Sequence, residues 1–259
     1  MNETDAVAPR GAAPTAELIE IFSSIQGEGL CVGERHLFVR FAGCHRRCAY
    51  CDTPVKAGST FRVESPAGSG HFRTVANPVE PQRLIDEIDT LKRPSGLHAA
   101  VALTGGEPLL QTDFLSLLLP LLKSEGLRVL LETAGDHPDE LERIAPWVDS
   151  VALDAKLPQA TDESTDWERV GRCVKLCAEK IETAFVKAVI AASTDETELA
   201  ELAEAVGDRL PLVLQPVTRV KHGPEPPSAR RLLELQAFLA QNALEVRIIP
   251  QCHHTLGMI

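Results

Sequence analysis

The sequence predicts an α/β fold, a partial parallel β/α barrel, because short apolar runs alternate along it with amphipathic helical stretches. Buried strands are expected at 36–43, 98–104, 127–133, 149–154, 184–190, 210–216 and 244–250. Helices are expected near 80–92, 112–125, 137–145, 165–181, 195–206 and 225–242. Strands that alternate with helices pair in parallel through right-handed crossovers. Six or so such units favour a barrel or partial barrel, and a doubly wound sheet is the competing topology.

The length and composition predict one large domain. The chain has 259 residues, 44% of them hydrophobic and only 4% aromatic, so we expect a large core made mostly of aliphatic side chains. Residues 1–15 have no hydrophobic period and are expected to form a disordered tail ahead of a single domain over 16–259. The segment 55–78 is rich in Gly, Ser and Pro and is expected to be a loop insertion.

Charge and cysteine content exclude several classes of protein. The formal net charge of −11 argues against a nucleic-acid-binding protein, since a phosphate backbone attracts basic surfaces. No run reaches transmembrane length, and the first residues lack the apolar core of a secretory signal. Seven cysteines, an odd number in a long chain, do not suggest a secreted disulfide framework. We therefore expect a reduced, cytoplasmic protein that binds neither nucleic acid nor membrane.

Unusual polar residues follow the predicted strands at their carboxyl ends. The cysteine-rich stretch follows the strand at 36–43, and TGGEP, ETAG, DAK, QPVT and QCHH end later strands. In a parallel barrel these ends share one rim, which is where active sites lie. The pattern therefore indicates an enzyme.

Three cysteines, Cys44, Cys48 and Cys51, lie within eight residues with the spacing C-x3-C-x2-C. Three thiolates can hold three irons of a 4Fe-4S cluster and leave the fourth iron open. A four-cysteine zinc site that includes Cys31 is the alternative. The i, i+4 pair Cys173 and Cys177 is expected to be buried in a helix, and Cys252 has no assigned role.

This stretch resembles the signature of the radical S-adenosylmethionine superfamily, C-x3-C-x-aromatic-C, with Tyr50 in the aromatic position. The resemblance implies a modified TIM-like barrel whose cluster binds S-adenosyl-L-methionine and releases a 5′-deoxyadenosyl radical from it. Tyr50 would contact the adenine through its backbone. In TGGEP, Gly106 would let the backbone approach the methionine end, and Glu107 would help to hold the amino group.

The stretch 20–54 further resembles the opening of the 7-carboxy-7-deazaguanine synthase family, through SIQGEG, FVRFAGC and CDT. The resemblance continues through TGGEP, ETAG, DAK, QPVT and the final QCHHTLGMI. It implies a lyase of queuosine or other deazapurine biosynthesis. Its substrate would be 6-carboxy-5,6,7,8-tetrahydropterin, and ring contraction with loss of ammonia would give 7-carboxy-7-deazaguanine. The cofactor would be regenerated in each turnover.

The resemblance also implies roles for individual residues, although it assigns no catalytic residue. Arg40 would face the substrate carboxylate, since a guanidinium suits a planar anion. The other expected substrate-binding residues are Ile25, Gln26, Gly27, Glu28, Thr104, His253 and Ile259. The cofactor would be lined by Tyr50, Gly106, Glu107, Glu132, Thr133, Asp154, Ala155, Lys156, Gln215, Pro216, Val217 and Thr218.

The residue after Cys-Asp, Thr53, would ligate a magnesium ion (Mg2+) that bridges to the substrate, since Mg2+ needs few protein ligands. The alternative role of Thr53 is a cap of the turn before Pro54. The chain departs from the family at three positions: many relatives have Lys in place of His254, some have Ser in place of Asp154, and Trp is common in place of Tyr50.

Two other functions remain open at the level of sequence. One is a different short radical enzyme, such as a glycyl-radical activase, although SIQGEG and Arg40 have no role in it. The other is a zinc-stabilised binding module without redox chemistry. For the synthase, we expect a homodimer that receives electrons from a donor such as flavodoxin or ferredoxin.

Overall fold

The computed structural model describes residues 13–219, 223–241 and 245–258. One sheet of ten strands runs through it, in the order β10-β9-β8-β7-β6-β5-β2-β1-β3-β4. The strands are β1 Leu18–Ile25, β2 Arg35–Phe41, β3 Thr60–Glu64, β4 Phe72–Ala76, β5 Ala100–Gly105, β6 Val129–Thr133, β7 Ser150–Ala155, β8 Thr183–Ile190, β9 Leu212–Pro216 and β10 Val246–Ile248. The helices are α1 Pro81–Leu91, α2 Thr112–Ser124, α3 Pro138–Ile144, α4 Pro158–Thr161, α5 Trp167–Lys180, α6 Glu196–Val206, α7 Ala229–Ala240 and α8 Cys252–Thr255.

The larger part of the sheet, from β2 through β5 to β10, is parallel, as the alternation of strands and helices predicts. The sheet stays open, with β10 and β4 at its two edges, so the architecture is a partial barrel and not a closed one. Local signals place the helices: α1, α3 and α4 begin at a proline, and α6 begins with a capping box between Asp195 and Glu198.

The amino-terminal part of the sheet is mixed. The strand β1 pairs antiparallel with β2 and parallel with β3. The segment 55–78, expected as a loop, instead contains the antiparallel pair β3 and β4. Its Gly, Ser and Pro residues concentrate around the connections, while Phe61 and Val63 alternate into the core. The expected tail, 1–15, lies mostly outside the described residues, and Ala16 already pairs with Val79.

Strand residues alternate between two faces of the sheet. Side chains such as Leu37, Val101 and Leu153 join the helices in the main core. Their neighbours point to the other face, here called the inner face, where two small apolar clusters lie. These clusters contain Phe22, Phe38, Ala102 and Leu130, and Ala152, Phe185 and Val213. The inner face therefore carries little apolar volume, which leaves room for a cavity.

None of the helices in the described ranges is both long enough and apolar enough to cross a bilayer.

Candidate active site

A cavity of about 460 Å³ opens on the inner face at the carboxyl ends of the parallel strands. The same alternation places one polar residue on this face in each of six strands, close to the carboxyl end in five of them and in the middle of β8. These residues are Arg40 on β2, Thr104 on β5, Glu132 on β6, Asp154 on β7, Lys187 on β8 and Gln215 on β9. Adjacent strands set some of them side by side, Arg40 opposite Thr104 and Asp154 opposite Lys187.

The cavity gathers most of the residues that the sequence nominates. It is lined by Ile25, Gln26, Gly27, Glu28, Arg40, Cys44, Cys48, Tyr50, Cys51, Thr53, Thr104, Gly106, Glu132, Thr133, Asp154, Lys156, Gln215, Val217, Thr218 and His253. Three nominated residues, Glu107, Ala155 and Pro216, do not line it. A fourth, Ile259, lies outside the described residues.

The side chain of Glu107 points into the fold and not into the cavity, so the prediction that its carboxylate holds an amino group is corrected. The residue is 0% exposed. Its carboxylate accepts hydrogen bonds from the Thr133 hydroxyl at 2.8 Å, the Ala134 N–H at 2.7 Å and the Leu109 N–H at 3.0 Å. Burial raises the pKa of Glu107 against the effect of these donors. Its role is to join the ends of β5 and β6.

Ala155 and Pro216 miss the cavity for a simpler reason. Each follows an inward-pointing residue on its strand, Asp154 on β7 and Gln215 on β9, so its own side chain points away. The side chain of Ala155 lies in the main core instead.

The three thiols of the cysteine loop, residues 43–54, face the cavity. Among the described residues, their sulfur atoms do not all come within 4.8 Å of one another. A single tetrahedral zinc ion with Zn–S bonds near 2.3 Å would hold its sulfurs roughly 3.8 Å apart. Cys31 does not line the cavity, and burial with nearby Glu34 raises the pKa of its thiol to about 11. The geometry therefore favours a larger centre held by three cysteines over the four-cysteine zinc site.

Two glycines after β5 let the cysteine loop pack against the sheet. A Cβ on Gly106 would lie 1.8 Å from the carbonyl oxygen of Gly43, just before Cys44. The Gly105 backbone has φ +117°, and its Cβ would lie 2.4 Å from the carbonyl oxygen of Phe41. The Glu107 N–H then donates to Gly43 at 2.8 Å. In TGGEP, the two glycines thus have a structural role: they fix where the first cysteine sits.

An ionic cluster fastens the other side of the cysteine loop. The Arg46 guanidinium donates to Asp136 at 3.0 Å, and the His45 Nε2 lies 2.9 Å from the same carboxylate oxygen. The hydrogen bond to Asp136, with another to Cys44, raises the pKa of His45 to about 10 against the effect of burial. The arrangement of His45, Asp136 and His137 is close enough for a metal ion, but Arg46 already neutralises the carboxylate. The cluster is therefore fully explained as a clamp on the loop.

A hydrogen-bonded group joins the segment after β1 to the centre of the cavity. Glu132 accepts from the amide nitrogen of Gln26 at 2.7 Å and from the Thr104 hydroxyl at 2.7 Å. The Gln26 side chain also accepts from the Glu28 N–H at 3.0 Å. The Glu132 carboxylate of β6 thus holds the Gln26 amide of the SIQGEG motif and the Thr104 hydroxyl of β5 in place at the cavity.

Gly27 gives the carboxyl-terminal helix access to the cavity. The Cys252 N–H donates to the Gly27 carbonyl at 2.9 Å, and a Cβ on Gly27 would lie 2.1 Å from the Nδ1 of His253. Burial lowers the pKa of His253. A neutral imidazole therefore lies at the cavity, packed on the backbone of the SIQGEG motif.

Arg40 lies in a group with an excess of positive charge. Its Nε donates to Glu20 at 3.0 Å, and Arg62 of β3 pairs with the other oxygen of Glu20. Two guanidiniums and one carboxylate leave a net charge of +1, and both arginines line the cavity. The Arg40 NH1 also lies 3.4 Å from the Thr53 hydroxyl. This part of the cavity suits an anion.

A buried chain of alternating charges crosses the opposite wall. Lys187 lies 3.0 Å from Asp154 and pairs with Glu28, while Lys156 lies 2.8 Å from Asp154 and 3.2 Å from the Tyr50 hydroxyl. We call Glu28, Lys187, Asp154 and Lys156 the ion-pair chain. Burial opposes the charged form, but Lys187 and Gln251 outweigh it and lower the pKa of Glu28 to about 2.

Sequence reasoning missed Lys187, although a signal for it exists. It is the only charged residue in the apolar run AFVKAVI, just as Arg40 is in FVRFAG. A lone charge within a buried strand needs a partner, and its position on the inner face could have been read from the alternation. Its partners could not be read, since Glu28 is 159 residues away in sequence.

The donor set of the cavity fits the two cofactors that the sequence implies. Three thiols on one loop provide ligands for an iron–sulfur cluster. The Oδ1 of Asp154 and the Oε1 of Gln215 are buried acceptors without a hydrogen-bond partner in the described residues. Because an unpaired buried acceptor is costly, both oxygens suit a ligand that brings ammonium or hydroxyl donors, as S-adenosylmethionine does.

Comparison with known proteins agrees with this chemistry. Residues 38–206 match the model of the radical SAM superfamily. A crystal structure of QueE from Escherichia coli superposes with a TM-score of 0.62, covering 92% of this chain and 95% of that one at 22% identity. This likeness supports the fold.

Sequence relatives extend the match over nearly the whole chain. The 7-carboxy-7-deazaguanine synthase of Geobacter sulfurreducens is 37% identical over 253 residues, which cover 95% of this chain and 99% of that protein. The synthase of Methanocaldococcus jannaschii is 36% identical over 250 residues, covering 93% and 99%. The chain therefore belongs to the 7-carboxy-7-deazaguanine synthase family within the radical SAM superfamily.

Proposed function

We propose that the protein converts 6-carboxy-5,6,7,8-tetrahydropterin to 7-carboxy-7-deazaguanine with loss of ammonia. The observation that carries this proposal is that one cavity joins two kinds of wall. The cysteine loop faces it from one side, and the SIQGEG motif, Arg40 and Thr104 face it from the other elements. A glycyl-radical activase has no use for the second set. The relatives that match across the chain are synthases.

The chain's own residues bind the pterin and orient it. A bound cluster and S-adenosylmethionine would supply a 5′-deoxyadenosyl radical. Arg40 would bind the substrate carboxylate, because the Glu20–Arg40–Arg62 group carries a net positive charge and Glu20 fixes one edge of the guanidinium. Thr104 and Gln26, both held by Glu132, would meet polar atoms of the ring.

Glu28 would bind the pyrimidine edge of the pterin. That edge presents an amino group and a ring N–H, which are hydrogen-bond donors. The pKa of Glu28 is about 2, since Lys187 and Gln251 outweigh the effect of its burial, so the carboxylate is ionised at neutral pH. An ionised carboxylate accepts such donors more strongly than a neutral group does.

The magnesium ion of the proposal would be held by Thr53 together with the substrate. Thr53 lies 3.4 Å from the Arg40 guanidinium, which repels a cation. Binding of the substrate carboxylate would offset that charge and add oxygen ligands, which Mg²⁺ prefers. We expect Mg²⁺ to stimulate turnover of the wild type and Thr53→Ala to lose most of this response while it still cleaves S-adenosylmethionine. Full turnover of chelated wild-type enzyme would show that Thr53 is a turn cap.

The remaining parts of the proposal concern partners. We propose an electron donor such as flavodoxin or ferredoxin, a homodimer and a cytoplasmic location. The odd number of cysteines in a long chain, which does not suggest a secreted disulfide framework, supports the last of these.

The proposed function is tested by anaerobic reconstitution with iron and sulfide, followed by reduction and incubation with S-adenosylmethionine and the tetrahydropterin. Mass spectrometry should detect 7-carboxy-7-deazaguanine, and the Cys48→Ala variant should form none. A cluster-loaded wild type that cleaves S-adenosylmethionine but leaves the pterin unchanged would contradict the proposal.

A further inference from the structure

Lys187 is a buried cation in the cavity to which neither the family motifs nor the proposed chemistry gives a role. It lies on β8 between Phe185 and Val189, which also line the cavity. Its side chain is 11% exposed. A lysine in such a place is unfavourable unless it is paired, and Lys187 is paired twice, with Glu28 and with Asp154 at 3.0 Å.

The two partners of Lys187 belong to different parts of the chain and to different proposed subsites. Glu28 follows β1, in the segment assigned to the pterin, and Asp154 lies near the end of β7, in the segment assigned to the cofactor. Lys187 is the one residue of the ion-pair chain that contacts both carboxylates among the described contacts. The Asp154 Oδ1 is buried and has no hydrogen-bond partner among the described residues, which leaves one acceptor of this carboxylate unpaired beside the cavity.

The charges of this wall balance only when Lys187 is present. Glu28 and Asp154 carry two negative charges, and Lys156 and Lys187 carry two positive ones. Removal of Lys187 leaves a net charge of −1 in a buried site. The partner that loses most is Glu28, whose pKa is lowered mainly by Lys187 against the effect of burial. Asp154 keeps its contact with Lys156.

The two ends of the ion-pair chain are held by further hydrogen bonds. Glu28 accepts from the Gln251 amide at 2.6 Å, and Gln251 in turn pairs with the Thr218 hydroxyl. At the other end, Lys156 donates to the Tyr50 hydroxyl at 3.2 Å, next to Cys51. Among the described contacts, Lys187 is the residue that joins the Glu28 end of the ion-pair chain to the Asp154 end.

We propose that Lys187 is a positioning residue that sets Glu28 and Asp154 at a fixed separation and so places the pterin against S-adenosylmethionine. The inference rests on the proposed function, which assigns Glu28 to the pterin, and on the cofactor role that the family resemblance implies for Asp154. Correct placement matters because hydrogen abstraction needs the reacting atoms in contact, and a small displacement slows such a step strongly.

Three variants separate this role from others. Glu28→Gln should weaken the pterin site, Asp154→Asn should weaken the cofactor site, and Lys187→Met should weaken both. We expect a rise of about tenfold or more in the KM for the pterin and in the dissociation constant of S-adenosylmethionine for Lys187→Met, the size of a lost charged hydrogen bond. Lys187→Arg, which keeps the charge, should recover most of both losses.

The measurements are equilibrium dialysis of S-adenosylmethionine on cluster-loaded protein, steady-state kinetics, and the ratio of released 5′-deoxyadenosine to product. The ratio should rise at least about tenfold in Lys187→Met, because misplaced ligands let the radical escape. Arg73→Met is the matched control, because Arg73 also pairs with a buried carboxylate, that of Glu87. In this variant Glu87 still pairs with Arg83. None of these three residues lines the cavity. The control should change neither constant. Lys187→Gln replaces Lys187→Met if the latter fails to fold.

Several outcomes would overturn the proposal. One is a Lys187→Met enzyme with both constants unchanged. Another is a loss of kcat alone with a shifted pH profile, which would make Lys187 a proton donor. A third is a loss of iron and thermal stability that Arg73→Met reproduces. A wild type that forms no deazaguanine would contradict the proposed function instead, and dialysis of S-adenosylmethionine would still decide whether Lys187 acts on Asp154.

Discussion

The two walls of the cavity are built by different means. The β2 wall carries the cysteine loop and Arg40, which lie in the contiguous stretch 40–54, although Glu20, Arg62, Gly106 and Asp136 support them from elsewhere in the chain. The β7–β8 wall carries the ion-pair chain, whose four members come from three separate segments: Glu28 after β1, Asp154 and Lys156 at the end of β7, and Lys187 on β8. On the first wall the Glu20–Arg40–Arg62 group has an excess positive charge, while on the second every charge has an opposite partner. We therefore expect the first wall to supply a positive site for an anion and the second to hold its binding groups, Glu28 and Asp154, in fixed positions.

The largest expected effect concerns the β2 wall alone. Replacing Cys44, Cys48 or Cys51 by Ala removes a ligand, and each variant should lose the intact cluster and all product formation. Cys31→Ala should retain both, since Cys31 lies outside the cavity. Iron and sulfide analysis with electron paramagnetic resonance checks this. A Cys44→Ala protein with a working cluster, together with a Cys31→Ala protein without one, would contradict the assignment of the first wall.

A second prediction tests whether the β5 glycines fix the cysteine loop. Gly106→Ala places a Cβ 1.8 Å from the Gly43 carbonyl oxygen, so the loop must move. We expect poor cluster loading and a loss of about 1–3 kcal/mol in the free energy of unfolding. Gly171→Ala, in helix α5 with only an ordinary contact at 3.6 Å, is the matched control and should be neutral or stabilising. Normal loading of Gly106→Ala would show that the loop is not held by this contact.

A third prediction concerns the binding group of the β2 wall. Arg40→Lys keeps the charge but loses the planar fork and the contact with Glu20. We expect the KM for the pterin to rise about 10–100-fold, the equivalent of one charged hydrogen bond, while iron content and cofactor affinity stay unchanged. Steady-state kinetics with dialysis measures both. Unchanged kinetics would remove Arg40 from the substrate site, and a lost cluster would make its role structural.

The smallest expected effect is a pH dependence that belongs to the β7–β8 wall. The pKa of Glu28 falls from an ordinary 4.5 to about 2, because Lys187 outweighs the effect of burial. A carboxyl group whose pKa is lower in the folded than in the unfolded protein stabilises the fold at pH values above its unfolded-state pKa. This contribution is lost as the pH falls through its folded-state pKa. In cluster-free protein, the free energy of unfolding of the wild type should exceed that of Glu28→Gln. This difference should be constant above pH 5 and should shrink as the pH falls from 4.5 to 2.

Denaturant unfolding of both proteins across that range is the measurement. A difference that persists unchanged down to pH 2 would mean that Glu28 is not held ionised by the ion-pair chain.

The two walls also differ in how far the sequence predicts them. The parallel strands, their helices and the common rim were predicted because they depend on local periodicity and on one topological rule. The cysteine loop was predicted because its ligands are adjacent in sequence. The hairpin of β3 and β4 was missed, since turn residues around Phe61 and Val63 masked a short alternation. The pairing of Lys187 with Glu28 required knowledge of contacts 159 residues apart.

The error over Glu107 has a related cause. A motif match places a residue at the rim but does not say which way its side chain points. The turn after β5 directs this carboxylate towards Thr133 and Ala134, and its three hydrogen bonds leave it fully enclosed. Ala155 and Pro216 were likewise assigned to the cofactor because their segments were, without regard to the face of the sheet on which each side chain lies.

The central claim is that the two walls bind S-adenosylmethionine and the carboxylated tetrahydropterin together and in register, so that the cofactor is regenerated. The most direct measurement is the yield of 7-carboxy-7-deazaguanine from cluster-loaded, reduced wild-type enzyme with S-adenosylmethionine limiting and the pterin in excess. We expect several molecules of product for each molecule of S-adenosylmethionine supplied, with little 5′-deoxyadenosine released. A yield of no more than one product per cofactor, or 5′-deoxyadenosine without product, would contradict it.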